Sequence, residues 1–296
     1  MSITRMGHIT LAVTDLDRSV EFAEDVIGLR LVEKDADAAY LTSAARHHQL
    51  ELRRGEEHRM VSLALDVAGE AELAAVRDDV LEAGFEVRED GPLSGAIEEA
   101  FWFDIPNGPT VQICRGVAAV ADEPYPVYGV RPRKFGHATF ATPDPEGLER
   151  TFAEVLGFRI SDRIPGTLAW VRCNTDHHGV GIMKGEAGLN HYAFEVESWS
   201  ALETLADHMI QRDVRYIWGP GRHGPGNNIF AYIEDADGSM CEFFTDILQV
   251  TDESTYEAKE WEAVATSLNQ WGPGPEQRWF EYSTPHAASS LEAVSS

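Results

Sequence analysis

The chain repeats itself, and the repeat constrains its fold more than any other feature. Gly7-His8-Ile9-Thr10-Leu11-Ala12-Val13 reads like Gly136-His137-Ala138-Thr139-Phe140-Ala141-Thr142. Each copy is followed by an aspartate and a helical pattern ending in Gly-Leu or Gly-Phe, Val20 to Leu29 in the first and Leu148 to Phe158 in the second. His47-His48 before Gln49-Leu50-Glu51-Leu52 matches His177-His178 before Gly179-Val180-Gly181-Ile182. Val61 to Val67 aligns with Asn190 to Val196, and Pro106-Asn107-Gly108 with Ala236-Asp237-Gly238. The offset stays between 128 and 130 residues throughout. A constant period over a whole half-chain calls for two copies of one folding unit.

Each half divides again. Leu63 to Val67 begins a second strand, Glu72 to Glu82 reads as an amphipathic helix closed by Ala83-Gly84-Phe85, and Ala201 to Arg212 is its counterpart in the second half. Strand, helix and several short strands, four times over, predicts an α+β protein of two tandem domains built on mixed sheets. The first domain is expected over residues 1–119 and the second over 134–250. Residues 120–133, with Pro124, Pro126, Gly129 and Pro132, read as a linker. Residues 251–296 are expected to form a C-terminal helix and tail, with the helix from Tyr256 to Leu268, a Trp271-Gly272-Pro273-Gly274-Pro275 stretch, and a disordered last ten residues.

Bulk properties exclude several functions. A formal charge of -26 argues against nucleic acid and anionic membrane surfaces as partners, because neither suits a chain without a basic stripe. No apolar run approaches the roughly 20 residues of a membrane span, and the N-terminus lacks a signal-peptide pattern. A cytoplasmic protein is expected. Cys114, Cys173 and Cys241 form no CxxC pair, so reduced thiols are expected and any metal should be held by nitrogen and oxygen.

The polar residues that differ between the halves carry the functional signal. His137, His191 and Glu242 each fall on a separate predicted strand of the second half. Taken singly, each is more often a satisfied core or solvent-facing side chain. Together they supply the two histidines and one carboxylate used by non-haem metal sites with open coordination positions. The aligned residues of the first half are His8, Ser62 and Gln112, so that half is expected to be a scaffold copy with an incomplete site and His8 a structural relic. Of the adjacent His177 and His178, only one can face a central site from a strand. His223 lies in a loop rich in glycine and proline, and Tyr232, with Trp102 as its first-half counterpart, reads equally well as strand core.

From Gly7 to Asp246 the sequence resembles the type I extradiol dioxygenases of the vicinal-oxygen-chelate superfamily, such as 2,3-dihydroxybiphenyl and catechol 2,3-dioxygenases. The matching motifs are Gly136-His137, Cys173-Asn174 followed by His177-His178, Asn190-His191-Tyr192-Ala193-Phe194, Gly221-Arg222-His223, and Tyr232 with Glu242 ten residues later. The resemblance implies two βαβββ modules per domain, forming a half-open mixed β-barrel. It implies extradiol cleavage of a catecholic aromatic by O2, in aromatic-compound degradation, at one metal ion held by His137, His191 and Glu242. His178, His223 and Tyr232 would be catalytic, the latter two touching substrate. Fe(II) is the expected ion with Mn(II) as the alternative, since both accept nitrogen and oxygen donors. A homo-oligomer is implied as well. The Trp271-Gly272-Pro273 and Trp279-Phe280 segments are similar to the tail of homoprotocatechuate-type members, whereas the Gly-Pro-Gly-Asn loop after His223 departs from biphenyl-type members. The alternatives are a hydroquinone or hydroxyphenylpyruvate dioxygenase of the same fold, or a metal-free binding member. Trp170, Arg172, Asn174 and Trp199 are candidates for the substrate-pocket wall.

Overall fold

The structure is a computed structural model that describes residues 2–121, 125 and 129–287; Pro124 and Pro126 of the expected linker, and residues 288–296 of the tail, lie outside the described residues. The first domain consists of β1 (Ile3–Val13), α1 (Leu16–Phe22), β2 (Arg30–Lys34), β3 (Ala38–Thr42), β4 (Leu50–Arg54), β5 (Arg59–Val67), α2 (Glu70–Glu82), β6 (Ile97–Asp104) and β7 (Thr110–Val117). The second consists of β8 (Lys134–Thr142), α3 (Pro145–Arg150), β9 (Arg159–Ile164), β10 (Leu168–Arg172), β11 (Val180–Lys184), β12 (Gly188–Glu195), α4 (Trp199–Ile210), β13 (Trp218–Arg222), β14 (Ile229–Glu234) and β15 (Met240–Thr245). A tail follows with β16 (Lys259–Glu260), α5 (Ala265–Leu268) and α6 (Gln277–Glu281).

The strand orders are β2-β3-β4-β1-β5-β7-β6 and β13-β14-β15-β12-β8-β11-β10-β9-β16. Each domain is thus one open mixed sheet made of two modules back to back, joined by the antiparallel pairs β1–β5 and β8–β12. Within a module the first and last strands run parallel, as a helical crossover requires. Three modules follow the βαβββ plan. The second is short by one strand, and only a two-way bridge between Arg88 and Trp102 stands in its place. Gly91-Pro92 follows at once, and a proline has no N–H with which to extend the ladder.

Local chemistry sets the helix positions. Asp15 and Asp144 accept from the backbone N–H of Arg18 and Gly147, at 3.1 and 3.0 Å. These caps start α1 and α3 four residues or so earlier than the apolar pattern suggests. Both helices continue as single π turns, Ala23–Ile27 and Thr151–Val155. In β1, Ile9, Leu11 and Val13 alternate with His8, Thr10 and Ala12. One face feeds a continuous apolar core that includes Leu63 and Ile113 of the first domain and Phe140, Phe194 and Phe243 of the second. The other face is polar yet equally buried, and it is where the sites lie. The three cysteines are buried and unbridged, and no described helix is long and apolar enough to cross a membrane.

The tail departs from expectation. Residues 256–264 are not helical, because their donors are claimed by the second sheet. Asp162 on β9 accepts from the Tyr256 hydroxyl (3.2 Å), the Lys259 backbone (2.9 Å) and the Trp261 indole (2.8 Å), which draws β16 alongside β9 as a parallel edge strand. Further on, Thr284 exchanges backbone hydrogen bonds with Leu189, and Pro285 and Ala287 with Met60. The tail therefore straps both domains together.

Candidate metal centre

β12 lies between β8 and β15, and Ala193 at its middle is the register partner of both His137 and Glu242. His191, two residues earlier, shares that face by the alternation of strand side chains. A methyl at position 193 leaves open the space on which the three longer side chains converge. His137 Nε2 lies 2.9 Å and His191 Nε2 3.1 Å from the same Glu242 oxygen, Oε2, and all three residues are buried. Gly136 assists: a Cβ there would stand 2.3 Å from the Phe244 ring, which packs against His137 with centroids 4.8 Å apart.

The surroundings orient these groups. His191 Nδ1 donates to Asn190 Oδ1 at 2.7 Å, and Asn190 Nδ2 in turn donates to the Trp279 and Tyr282 carbonyls of the tail, at 3.0 and 3.1 Å. Burial pushes His191 below its ordinary value against the opposing pull of Glu242. A neutral His191 with its proton committed to Asn190 presents a lone pair to Glu242. Burial pushes the Glu242 carboxyl up, but His137 and His191 outweigh it and hold the group well below the usual carboxylate range. A lone pair facing a carboxylate is repulsive on its own, and a cation between them resolves it. The donor set therefore fits a divalent ion. Asn228 Nδ2 supports the outer oxygen, Glu242 Oε1, at 3.2 Å.

The other candidates line the same space. The His178 ring packs on His137 with centroids 4.5 Å apart. Its Nδ1 meets His177 Nδ1 at 3.0 Å, and His177 Nε2 lies 3.1 Å from Asp162. Tyr232 is the register partner of Glu242 and stacks on Trp218. His223 Nδ1 donates to the Leu268 carbonyl at 2.5 Å, which leaves Nε2 to accept from the Tyr232 hydroxyl at 3.2 Å. Burial lowers His178 well below its ordinary value and His223 to about 4, so both are neutral near pH 7. Burial, then the charge of Glu242, pushes the Tyr232 phenol up, so its hydroxyl stays a donor.

All six predicted site residues therefore meet, joined by Thr139, Leu168, Trp170, Pro225, Leu268 and Trp279 around a free volume of ≈ 30 Å³, room for a water but not a ring. A crevice of ≈ 460 Å³ between the domains is larger but holds no such cluster; convergence of donors, not volume, marks the site. Of the expected wall residues only Trp170 is there. Arg172 pairs with Glu253, Asn174 lines the interdomain crevice, and Trp199 is exposed against Trp271. Asn228, Leu268 and Trp279 were not anticipated. Asn190, beside a candidate ligand in a buried strand, offered a sequence signal, Trp279 offered only the likeness of its tail segment, and Leu268 offered none.

The first domain repeats the register. Ala64 pairs with both His8 and Gln112, and Trp102 with Gln112. Ser62 and Gln112 do leave the counterpart triad incomplete. Glu51, which the comparison of aligned positions did not weigh, nevertheless stands beside His8. Among the described residues two His-His-Glu groups have donor atoms all within 4.8 Å of one another: His137, His191 and Glu242, and His8, His48 and Glu51.

The family model described as "Glyoxalase/Bleomycin resistance protein/Dioxygenase superfamily" matches residues 5–101 and 134–243. An iron-dependent extradiol dioxygenase of Rhodococcus jostii is 28% identical, with 92% of this chain and 97% of the relative covered. A manganese-dependent 2,3-dihydroxybiphenyl 1,2-dioxygenase of Geobacillus genomosp. 3 is 26% identical, with 93% and 95% covered. Among solved structures, homoprotocatechuate 2,3-dioxygenase from Arthrobacter globiformis superposes with a TM-score of 0.88 at 26% identity, covering 99% of this chain and 94% of that one. A Mn(II)-bound glyoxalase from Novosphingobium aromaticivorans superposes with 0.87 at 28% identity, covering 97% and 96%.

Proposed function

The chain belongs to the Glyoxalase/Bleomycin resistance protein/Dioxygenase superfamily, and on that premise we propose that it is an extradiol dioxygenase, opening a catecholic ring beside its diol with O2 in the breakdown of aromatic compounds. The observation that carries this reading is the meeting of His178, His223 and Tyr232 around the buried His137, His191 and Glu242 cluster. The ion is Fe(II) or Mn(II), as in the relatives, held by His137, His191 and Glu242. When bound, it supplies a common point at which a catecholate and O2 can react.

The remaining work falls to the chain. Tyr232, whose hydroxyl donates to His223 Nε2, accepts from a substrate hydroxyl and relays a proton to His223, which returns it to the product. His178 is neutral at rest, so its Nε2 would accept a proton from the second hydroxyl and return it to the product. Leu168, Trp170, Pro225 and Trp279 keep water from the reacting atoms. The reading includes a homo-oligomer, checked by light scattering, and a cytoplasmic location, checked by cell fractionation.

The likeness to a glyoxalase favours a second reading, an isomerisation at the same cluster that would use no O2. The discriminating experiment reconstitutes the protein anaerobically with Fe(II) or Mn(II) and then offers a series of catechols in an oxygen electrode. One O2 consumed per catechol with a yellow ring-opened product is expected. Oxygen uptake with a 2-oxo acid or hydroquinone alone would move the chain to the related dioxygenases. No uptake with any of these substrates, together with turnover of a thiol adduct of a 2-oxoaldehyde, would establish the isomerase.

A further inference from the structure

The first domain buries a second set of metal-type donors that the reaction above does not use. His8 on β1, His48 just before β4 and Glu51 on β4 converge, with His8 Nε2 3.7 Å from Glu51 Oε2 and the two imidazole centroids 4.2 Å apart. Both ring nitrogens of His8 and the Nε2 of His48 are buried with no hydrogen-bond partner, and so are Ser62 Oγ and Gln112 Oε1 on the neighbouring strands. A buried donor or acceptor left unsatisfied forfeits its hydration with nothing in return. Five such atoms on one buried face mark a place where something other than protein meets them.

The supporting residues repeat those of the second domain. His48 Nδ1 meets His47 Nδ1 at 3.0 Å, and His47 Nε2 meets Glu33 Oε2 at 3.2 Å. This is the carboxylate–His–His chain of Asp162, His177 and His178 at an offset of 129 or 130 residues. It fixes the orientation of His48 and turns its Nε2 toward His8, as carboxylate-backed histidines do in metal sites. Glu51 is divided in the manner of Glu242. Its Oε1 accepts from Arg53 Nε at 2.6 Å, while Oε2 accepts from the Thr10 hydroxyl at 3.1 Å and faces His8.

We infer that the first domain is a second metal site, in which His8, His48 and Glu51 hold a divalent transition-metal ion of the zinc class. Imidazole and carboxylate donors suit such an ion. Its role is structural: His8, His48 and Glu51 are buried, and Arg53, held by Tyr40 and the Leu93 carbonyl, occupies one side of Glu51. Because Arg53 already shares the charge of Glu51, this site binds its ion more weakly than the one at His137, His191 and Glu242, and it fills second.

The test strips the full-length protein of metal and titrates it with Zn(II), counting bound zinc per chain by mass spectrometry after gel filtration. The wild type should bind two equivalents. His8→Ala and Glu51→Gln should each bind one, as should His137→Ala. Circular dichroism checks that each variant is folded; if His8→Ala is not, the near-isosteric Glu51→Gln decides. One equivalent in the wild type would overturn the inference, and so would two equivalents persisting in folded Glu51→Gln.

Discussion

The two domains share a register and differ in what stands on one sheet face. Ala64 and Ala193 occupy the same central position, each between a histidine and the residue that ends the triad, Gln112 in one domain and Glu242 in the other. The decisive difference is one strand away. Thr10 faces Glu51, whereas Thr139 faces Gly181, where a Cβ would meet the Thr139 hydroxyl at 2.3 Å. In the first domain a carboxylate on β4, with Arg53 beside it, plugs the face. In the second domain that place is bare, the carboxylate comes from β15, and Tyr232 replaces Trp102 as its register partner. A duplicated sheet thus offers the same set of positions twice, and the strand that carries the carboxylate decides whether an open site or a closed one results.

That contrast can be broken most decisively at the carboxylate. Glu242→Ala should abolish oxygen consumption and remove the ion of the second domain together, whereas Glu51→Gln should leave turnover near wild type; an oxygen electrode and metal analysis read both. If Glu242→Ala retains turnover, the second domain is not the reactive one.

The paired histidines sharpen the comparison next. His178→Phe should retain its metal and bind catechol, yet lose about 10²–10⁴-fold in kcat, the usual worth of a positioned acid–base group. His48→Phe, at the equivalent place, should change kcat little. Steady-state kinetics with a good catechol substrate tests the pair, and equal losses in both would show that the histidines act through folding alone.

The smallest expected effect concerns the strap between the domains. His286, on the segment that bridges Met60 and pairs near Leu189, has two buried ring nitrogens without partners, and burial lowers its pKa from 6.5 to about 4. Between those values the unfolded chain binds the extra proton, so stability falls as pH drops from about 6.5 to 4. From pH 6.5 to 5.5 this amounts to about 1 kcal/mol. His223 adds a slope of the same sign. Denaturant melts of His286→Phe should show a shallower acid slope than wild type, and an unchanged slope would remove His286 from the account.

Much of this was legible in the chain itself. The repeat offset is a linear property, and it sufficed for two tandem α+β domains. Strand alternation placed His137, His191 and Glu242 each on a face, because a period of two leaves no freedom about which neighbours share a side. Comparing the halves position by position, however, could only ask whether the residues aligned with the triad were ligands. It answered no for Ser62 and Gln112 and passed over Glu51, whose partner in the second half is a glycine. Glu51 joins His8 only because β4 pairs with β1 in parallel.

The tail shows the same limit. Tyr256 to Leu268 has a helical composition, yet Asp162, some 95 residues away in sequence, claims the donors of its first part and lays Lys259–Glu260 along β9, leaving only Ala265–Leu268 helical. The Leu268 and Trp279 carbonyls hold His223 and Asn190, and both residues line the candidate site, contacts made across some 45 and 89 residues of sequence that no local pattern advertises. The sequence by itself determined the repeated architecture and the donor types available for a metal, since periodicity and residue chemistry are local. Which donors meet, which face stays open and which segment covers it were decided by strand pairing and long-range hydrogen bonds, because these bring together residues that the chain keeps far apart.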